Sequence, residues 1–235
     1  MKFKNTLIKG RLLQRYKRFL ADIELDNGEI VIAHCANPGA MTGLKDTGCR
    51  VWVDKVNNPK RKLQYDWHII EEAKDNVLVG IHTSWPNKLV AEALDKGRIL
   101  ELRGYDSIRS EVKYGENSRI DFLLESEGKP PCYVEVKSIT LSRTKGLAEF
   151  PDSPTARGTK HLGELQSMTE QGARAVILYI IQREDCDRFS IAKDIDPAYE
   201  TARVKATNSG LESLAYACKI SPTEIYITHP VKTVF

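Results

Sequence analysis

The chain has 235 residues, of which 41% are hydrophobic and 29% charged, with a formal net charge of +3. This balance excludes a disordered or collagen-like chain and is typical of one large or two small globular domains. The longest unbroken apolar run, Ala175 to Ile181, is far shorter than the roughly 20 residues needed to span a bilayer. Five cysteines without a C-x-x-C pair indicate reduced thiols, so we expect a cytoplasmic protein with no membrane partner.

Basic residues are concentrated at the start of the chain. The first 20 residues contain seven Lys and Arg and no Asp or Glu, and a second basic cluster follows a turn at 57–59. One-sided positive charge attracts polyanions, and neighbouring aromatic rings add base stacking, although an ordinary solvated surface is the alternative. The residues expected to bind nucleic acid are Arg11, Arg15, Tyr16, Lys17, Arg18, Lys60, Arg61 and Lys62.

Residues 1–84 predict an all-β domain, because strand-sized runs alternate with turn residues and no helical period is present. The clearest hairpin signal is Asn27-Gly28, which is typical of a two-residue turn and would pair Leu25 with Ile30. Five short antiparallel strands suit a small barrel of the oligonucleotide-binding (OB) type, although an SH3-like barrel fits nearly as well.

Residues 85–235 predict a mixed-sheet α/β domain, because strand candidates alternate with helices. Proline favours the first turn of a helix, so we expect helices to begin at Pro86, near Pro154 and at Pro197. The run from Ala175 to Ile181 is apolar at every position, as expected for a central strand that is covered on both faces.

Two acidic residues face each other across a predicted hairpin. A turn centred on Gly128 places Asp121 opposite Glu135, an unfavourable pair of like charges. A bulge or a one-residue shift would relieve the repulsion and leave diagonal salt bridges on a solvated surface. The functional interpretation is that both carboxylates share a divalent cation, with Lys137 stabilising charge on a phosphate. Oxygen-only ligands favour Mg²⁺ or Mn²⁺.

Several segments carry a resemblance to known proteins. Asp121, followed by Glu135-x-Lys137 on the next strand, resembles the D…(D/E)-x-K signature of restriction-endonuclease-like nucleases, with Ile120 where that signature has proline. More widely, the chain resembles the SfsA family, the sugar fermentation stimulation proteins. The segments that carry this similarity are Gln14 to Asp22, Asn37 to Gly43, Glu111 to Gly115, Arg119 to Phe122, Glu135 to Ser138 and Gly158 to Leu162.

The SfsA resemblance implies an OB-like N-terminal barrel at 1–84 and a restriction-endonuclease-like domain at 85–235. It also implies DNA as a partner, bound without strong sequence specificity, and a link to the regulation of sugar (maltose) metabolism. A nuclease-like domain implies a phosphodiesterase that depends on Mg or Mn. The alternative is a DNA-binding regulator with no catalytic activity.

The resemblance also assigns site residues. The implied catalytic residues are Asp121, Glu135, Lys137 and Glu92, and the three acids would be the metal ligands. The helical period itself places Glu92 about 130° from the centre of the apolar stripe, as for a solvent-facing residue. Possible auxiliary residues share one face of a later helix, which such nucleases often direct toward the metal site: Arg157, His161 and Glu164.

Overall fold

The computed structural model describes residues 1–115 and 118–235, and it consists of a β-barrel followed by an α/β domain. No helix within the described residues combines the length and hydropathy that crossing a membrane requires. The barrel strands are β1 (Ile8–Tyr16), β2 (Leu20–Leu25), β3 (Ile30–Cys35), β4 (Arg50–Lys55), β5 (Tyr65–Glu71) and β6 (Leu78–Gly80).

The barrel has the connectivity of an OB fold. Strands β1, β2 and β3 form an antiparallel meander, β4 pairs with both β1 and β5, and β3 closes the barrel by pairing in parallel with β5. Strand β6 extends the sheet beyond β5. Inward-facing side chains such as Leu12, Ile23 and Trp67 are fully buried, which follows from the two-residue period of the strands. The expected OB-like barrel is therefore confirmed.

The β2–β3 hairpin differs from its expected register by one residue. Ile30 pairs with Glu24 instead of Leu25, because the turn has three residues, with Gly28 at a φ of +84°. A three-residue turn that ends in a left-handed glycine is a common hairpin form. The shift turns two isoleucines outward, so Ile30 is 64% exposed and Ile32 is 46% exposed.

The second domain contains a mixed sheet with helices on both faces, as the sequence predicts. Its strand order is β15-β14-β12-β9-β8-β7, with β12 parallel to both neighbours and the other pairs antiparallel. The elements are α1 (Trp85–Asp95), β7 (Ser107–Tyr114), β8 (Ser118–Glu125), β9 (Cys132–Ile139), α2 (Ala156–Glu170), β12 (Arg174–Ile181), α3 (Pro197–Asn208), β14 (Glu212–Ile220) and β15 (Ile225–Pro230).

A second, smaller sheet was not expected from the sequence. Its order is β10-β11-β13-β16, and its members are β10 (Leu141–Thr144), β11 (Leu147–Phe150), β13 (Arg188–Ile191) and β16 (Lys232–Thr233). These strands have two to four residues, too few to show a period in the sequence.

The two domains share an apolar core at their joint. Trp52 and Ile69 of the barrel belong to the same buried cluster as Trp85 of α1 and Val134 of β9. The backbone amide of Gly80 donates to the carbonyl of Gln182 at 2.9 Å, which links β6 to the end of β12. The barrel is therefore fixed against the second domain rather than tethered to it.

Candidate functional site

Strands β8 and β9 separate where their acidic residues begin. Phe122 pairs with Val134, and Leu124 with Cys132, in the expected register. The described pairs stop there, so the expected direct pairing of Asp121 with Glu135 is not formed. Instead the backbone amide of Val136 donates to Asp121 Oδ2 at 2.7 Å. The Asp121 side chain thus takes the place of a backbone acceptor on β8, and the two strands separate at this point.

Asp121 receives a second hydrogen bond from the first turn of α1. Asn87 Nδ2 donates to Asp121 Oδ1 at 2.6 Å. The pKa of Asp121 is nevertheless raised, first by burial and then by the negative charge of Glu135, and the two donors offset this only in part. Because Asp121 Oδ2 accepts from the amide of the residue that follows Glu135, the two acids lie on neighbouring strands at the same level of the sheet.

Glu135 is 3% exposed and its two oxygens differ. Oε1 accepts from Lys137 Nζ at 2.7 Å and from His161 Nδ1 of α2. Oε2 is buried and has no hydrogen-bond partner among the described residues. Burial alone would raise the pKa of Glu135, but the hydrogen bond from His161 and the charge of Lys137 outweigh it, so this pKa is lowered. Glu135 is therefore an ionised carboxylate with one unused oxygen.

The exposed guanidinium of Arg157 sets the tautomer of His161. Arg157 Nε donates to His161 Nε2 at 3.4 Å, one turn earlier on α2. A guanidinium only donates, so His161 Nε2 is the acceptor. The ring proton is then on Nδ1, which donates a hydrogen bond to Glu135. Helix α2 begins after Thr155, whose side chain accepts from Gly158 N and fixes the first turn. The helix thus orients Glu135.

Tyr114 and Glu164 complete the surroundings of the carboxylates. Burial first, and then the charges of Glu135, Glu164 and Asp121, raise the pKa of Tyr114 far above its usual value. Its hydroxyl is buried and has no hydrogen-bond partner among the described residues. Glu164 makes a loose ion pair with Lys160 at 3.5 Å and has no described contact with Glu135. Both carboxylate oxygens of Glu164 are buried and have no hydrogen-bond partner within the described residues.

The residues expected to bind nucleic acid lie on the barrel, in two loops and in strand β1. Arg15 Nη2 donates to the carbonyls of Asn37 and Gly39, so this cation holds a barrel loop. Arg61 makes two hydrogen bonds to Asp66, at 2.6 and 2.7 Å. Arg11 donates one hydrogen bond to the Gly48 carbonyl, and Tyr16 donates one to Asp22. The remaining four are exposed and form no ion pair within the described residues: Lys17, Arg18, Lys60 and Lys62.

Two family descriptions match the chain. "SfsA N-terminal OB domain" matches residues 13–81, and "Sugar fermentation stimulation protein RE domain" matches residues 84–224. The chain belongs to the SfsA family of sugar fermentation stimulation proteins. The expected family is therefore confirmed.

Relatives in the SfsA family match nearly the whole chain. A sugar fermentation stimulation protein homolog of Maricaulis maris is 53% identical over 232 residues, which cover 99% of this chain and 98% of that protein. A homolog of Paramagnetospirillum magneticum is 49% identical over 231 residues, 98% of this chain and 97% of that protein. The solved structure of Pyrococcus furiosus SfsA in complex with Ca²⁺ aligns with a TM-score of 0.87 at 25% identity, covering 100% of this chain and 98% of that one.

Glu92, which the SfsA resemblance assigned to the site, lies elsewhere. Its carboxylate contacts Lys96 and the amino group of Met1, and it has no described contact with Asp121. These contacts, Lys96 first, lower its pKa to about 2. Glu92 follows Asn87 by five positions, about 140° around the helix, so both cannot point at the carboxylates. The α1 residue that reaches the site is Asn87.

Sequence reasoning missed Asn87 and Tyr114. Asn87 follows Pro86 in the first turn of α1, where its amide reads as an ordinary capping group. Tyr114 follows Glu111-Val112-Lys113, a second E-x-K triplet, which precedes Asp121 in the chain where the nuclease signature has its E-x-K after the acid. Within the described residues, no group of three or more His, Cys, Asp and Glu side chains is arranged to hold a metal ion.

Proposed function

We propose that this SfsA-family chain is a DNA-binding, metal-dependent phosphodiesterase of the nuclease type. The pair of half-buried Asp121 and buried Glu135 carries the proposal, because Asp121 accepts from the backbone amide next to Glu135 and one Glu135 oxygen is unused. The RE description of the matching family domain agrees with this reading. Lys137, whose side chain is 12% exposed, lies on the same strand, where an ammonium group can reach a phosphate.

The donor set fits a hard divalent cation, Mg²⁺ or Mn²⁺. Carboxylate oxygens are the ligands that such ions prefer, and Mg²⁺ usually keeps several waters, so two protein carboxylates suffice. A cation would also reverse the repulsion that raises the pKa of Asp121. The Pyrococcus furiosus SfsA structure is described as a complex with Ca²⁺, another hard cation that takes oxygen ligands. When bound, the ion would acidify a neighbouring water and withdraw charge from a phosphodiester.

The chain's own residues would orient the reacting groups. Lys137 is held by Glu135 at 2.7 Å, so its charge is positioned to stabilise negative phosphate oxygens. His161, with its tautomer fixed by Arg157, keeps Glu135 Oε1 occupied and leaves Oε2 for the cation. Asn87 and the Val136 amide hold Asp121 in the gap between the strands.

A DNA-binding regulator without catalysis is the second candidate. The name of the relatives, sugar fermentation stimulation protein homolog, favours it, since stimulation of sugar (maltose) use requires no DNA cleavage. In that case the barrel would bind DNA and the second domain would be a scaffold.

Two measurements separate the candidates. We expect Mn²⁺ to give saturable heat with the parent in calorimetry and to support cleavage of plasmid or oligonucleotide DNA. Asp121→Asn should abolish both. The matched control is Glu125→Gln, on the same strand, because the Glu125 side chain is 40% exposed and pairs with Arg109. Equal heats for the parent and Asp121→Asn would exclude the proposed metal site and leave the DNA-binding regulator as the remaining candidate.

A further inference from the structure

One row of side chains crosses the outer face of the barrel and joins its two basic loops. Tyr16 pairs with Leu20, Leu20 with His34, and His34 with Asp66, so β1, β2, β3 and β5 each contribute one residue to the row. The β1–β2 loop, residues 17–19, lies at one end of these strands. The β4–β5 loop, residues 56–64, reaches the row at Asp66. These two loops and the β2–β3 face are where OB barrels bind oligonucleotides.

Described contacts connect the two loops through an aromatic pair. The rings of Phe19 and His34 are stacked, with centroids 6.5 Å apart and planes 15° from parallel. His34 Nδ1 lies 3.4 Å from Asp66 Oδ1, and Arg61 holds the same carboxylate at 2.6 Å. Phe19 is 47% exposed, and Ile32, two residues before His34 on β3, is 46% exposed and continues the apolar strip. The Phe19 ring of one basic loop thus stacks on a strand residue that contacts the other loop through Asp66.

The charge around this strip is positive. Asp66 is paired with the guanidinium of Arg61, whereas Asp22 accepts only from the neutral donors Gln14 and Tyr16 and keeps its negative charge. The five Lys and Arg residues of the two loops outnumber these two acids. The exposed cations that flank the strip form no ion pair within residues 1–115 and 118–235: Lys17, Arg18, Lys60 and Lys62. An apolar ring bordered by unpaired cations is complementary to a base with its phosphates.

The β1–β2 hairpin turn contains two consecutive left-handed residues, neither of which is glycine. Lys17 and Arg18 have φ values of 48° and 62°, a left-handed conformation that Asn and Gly adopt more readily than long side chains. Strain of this kind is concentrated at functional sites. Here it holds two cations and the Phe19 ring outward.

We propose that the barrel binds single-stranded DNA, with bases stacked on Phe19 and His34 and phosphates held by the four flanking cations. The faces of bases in a duplex are covered by their neighbours, so an exposed ring on a sheet can stack only on unpaired bases. The inference rests on the proposed function in one respect: it makes DNA with an unpaired strand the substrate class of the carboxylate site.

Fluorescence anisotropy of the full chain in EDTA tests the proposal. We expect oligothymidine to bind about tenfold or more tightly than a hairpin duplex of equal nucleotide count. Phe19→Ala should weaken single-strand binding about 5- to 100-fold and leave duplex binding unchanged. The matched control is Leu100→Ala in the second domain, because Leu100 is a 58% exposed apolar residue away from the barrel.

A second variant separates binding from folding. Lys17→Asn with Arg18→Gly should lower the salt slope of single-strand binding by about 1.4, from two lost phosphate contacts, while the melting temperature rises. A lower melting temperature would overturn the strain argument. Equal affinity of the parent for single strand and duplex, or an unchanged affinity for Phe19→Ala, would overturn the proposal.

Binding in EDTA keeps this test independent of cleavage. Single-strand preference without metal-dependent cleavage would overturn the proposed nuclease and support the binding inference. Metal-dependent cleavage of duplex DNA without a preference for single-strand binding would support the proposed nuclease and overturn the binding inference. Tighter binding of an RNA strand of the same length would assign the surface to another polymer and overturn the inference as well.

Discussion

Arg183 joins the two domains through a buried ion pair, and removing it tests whether they unfold together. Its side chain is 2% exposed, and Nη2 donates to Glu72 Oε2 of the barrel at 2.9 Å. The same guanidinium binds both oxygens of Asp185, at 2.6 and 2.7 Å, and the carbonyl of Thr140 at 3.0 Å. The Arg183→Met substitution keeps much of the apolar stem but removes every one of these bonds.

The expected loss follows from burial. Arg183→Met leaves the carboxylate of Glu72, whose side chain is 10% exposed, without its cation. Removing one partner of a buried ion pair costs about 3–5 kcal/mol, a large part of a typical stability of about 5–15 kcal/mol. The matched control is Arg188→Met, because Arg188 and Asp187 are 48% and 85% exposed. A surface pair of this kind contributes about 0–1 kcal/mol.

Urea unfolding, followed by tryptophan fluorescence and far-ultraviolet circular dichroism, measures the loss. Two of the three tryptophans, Trp52 and Trp67, belong to barrel strands and the third, Trp85, begins α1 at the joint, so fluorescence reports on the barrel and the joint. We expect coincident transitions in the parent and separate, earlier ones in Arg183→Met. A loss no larger than that of Arg188→Met would refute the reasoning.

The pH dependence of this loss has a definite sign. Burial alone would raise the pKa of Asp185, but the hydrogen bond and charge of Arg183 lower it overall. A lowered carboxyl pKa contributes stability above the unfolded value of about 3.9 and loses it as pH falls through the folded value. The difference in unfolding free energy between the parent and Arg183→Met should therefore become smaller below about pH 4. A constant gap would show that the carboxylates do not contribute.

Three further predictions concern the site and the thiols. Lys137→Met should lower metal-dependent cleavage about 100-fold or more without weakening DNA binding in EDTA. The control Lys113→Met, in the exposed E-x-K triplet at 111–113, should change neither cleavage nor DNA binding. Equal cleavage rates for the two variants would exclude a catalytic Lys137. His161→Asn should weaken Mn²⁺ binding about 10- to 100-fold in calorimetry, and unchanged heats would exclude its orienting role. Burial raises the pKa of Cys132 and Cys186 to about 11, so a disulfide reagent at neutral pH should label these thiols only after denaturation, and rapid native labelling would contradict their burial.

The sequence predicted elements whose period is long or whose turn chemistry is distinctive. Ala175 to Ile181 forms most of the buried strand β12, and Asn27-Gly28 lies in the β2–β3 turn. The hairpin register was wrong by one residue, because a two-residue and a three-residue turn share the same dipeptide signal. The sheet containing β11 and β13 was missed, since four-residue strands are held by neighbours distant in sequence.

The carboxylate pair was predictable because the spacing around Gly128 fixes which residues share a strand face. The separation of β8 from β9 was not, since it depends on the Val136 amide turning to the Asp121 side chain. Glu92 is the expected site residue whose described contacts are with Lys96 and Met1 instead of Asp121. The resemblance assigned it to the site, while the helical period already placed it about 130° from the apolar stripe, and the structure agrees with the period.

Asn87 links the domain joint to the carboxylate pair. It lies two residues after Trp85, which stacks with Phe3 and His82 at the joint, so the packing that seats the barrel also sets the position of Asn87. Asn87→Ala removes one of the two hydrogen-bond donors to Asp121. Burial and the charge of Glu135 already raise the pKa of Asp121, so the loss of this donor should raise it further.

Because a cation binds the ionised carboxylate, the loss of Mn²⁺ affinity in Asn87→Ala should be larger at about pH 5.5 than at about pH 7.5. The matched control is Asn5→Ala, because Asn5 donates to Asp54 at 3.0 Å on the exposed barrel surface. Calorimetric titrations of the parent and both variants at the two pH values measure the difference. If Asn87→Ala and Asn5→Ala bound Mn²⁺ alike at both, the first turn of α1 would have no part in holding Asp121 ready for a cation.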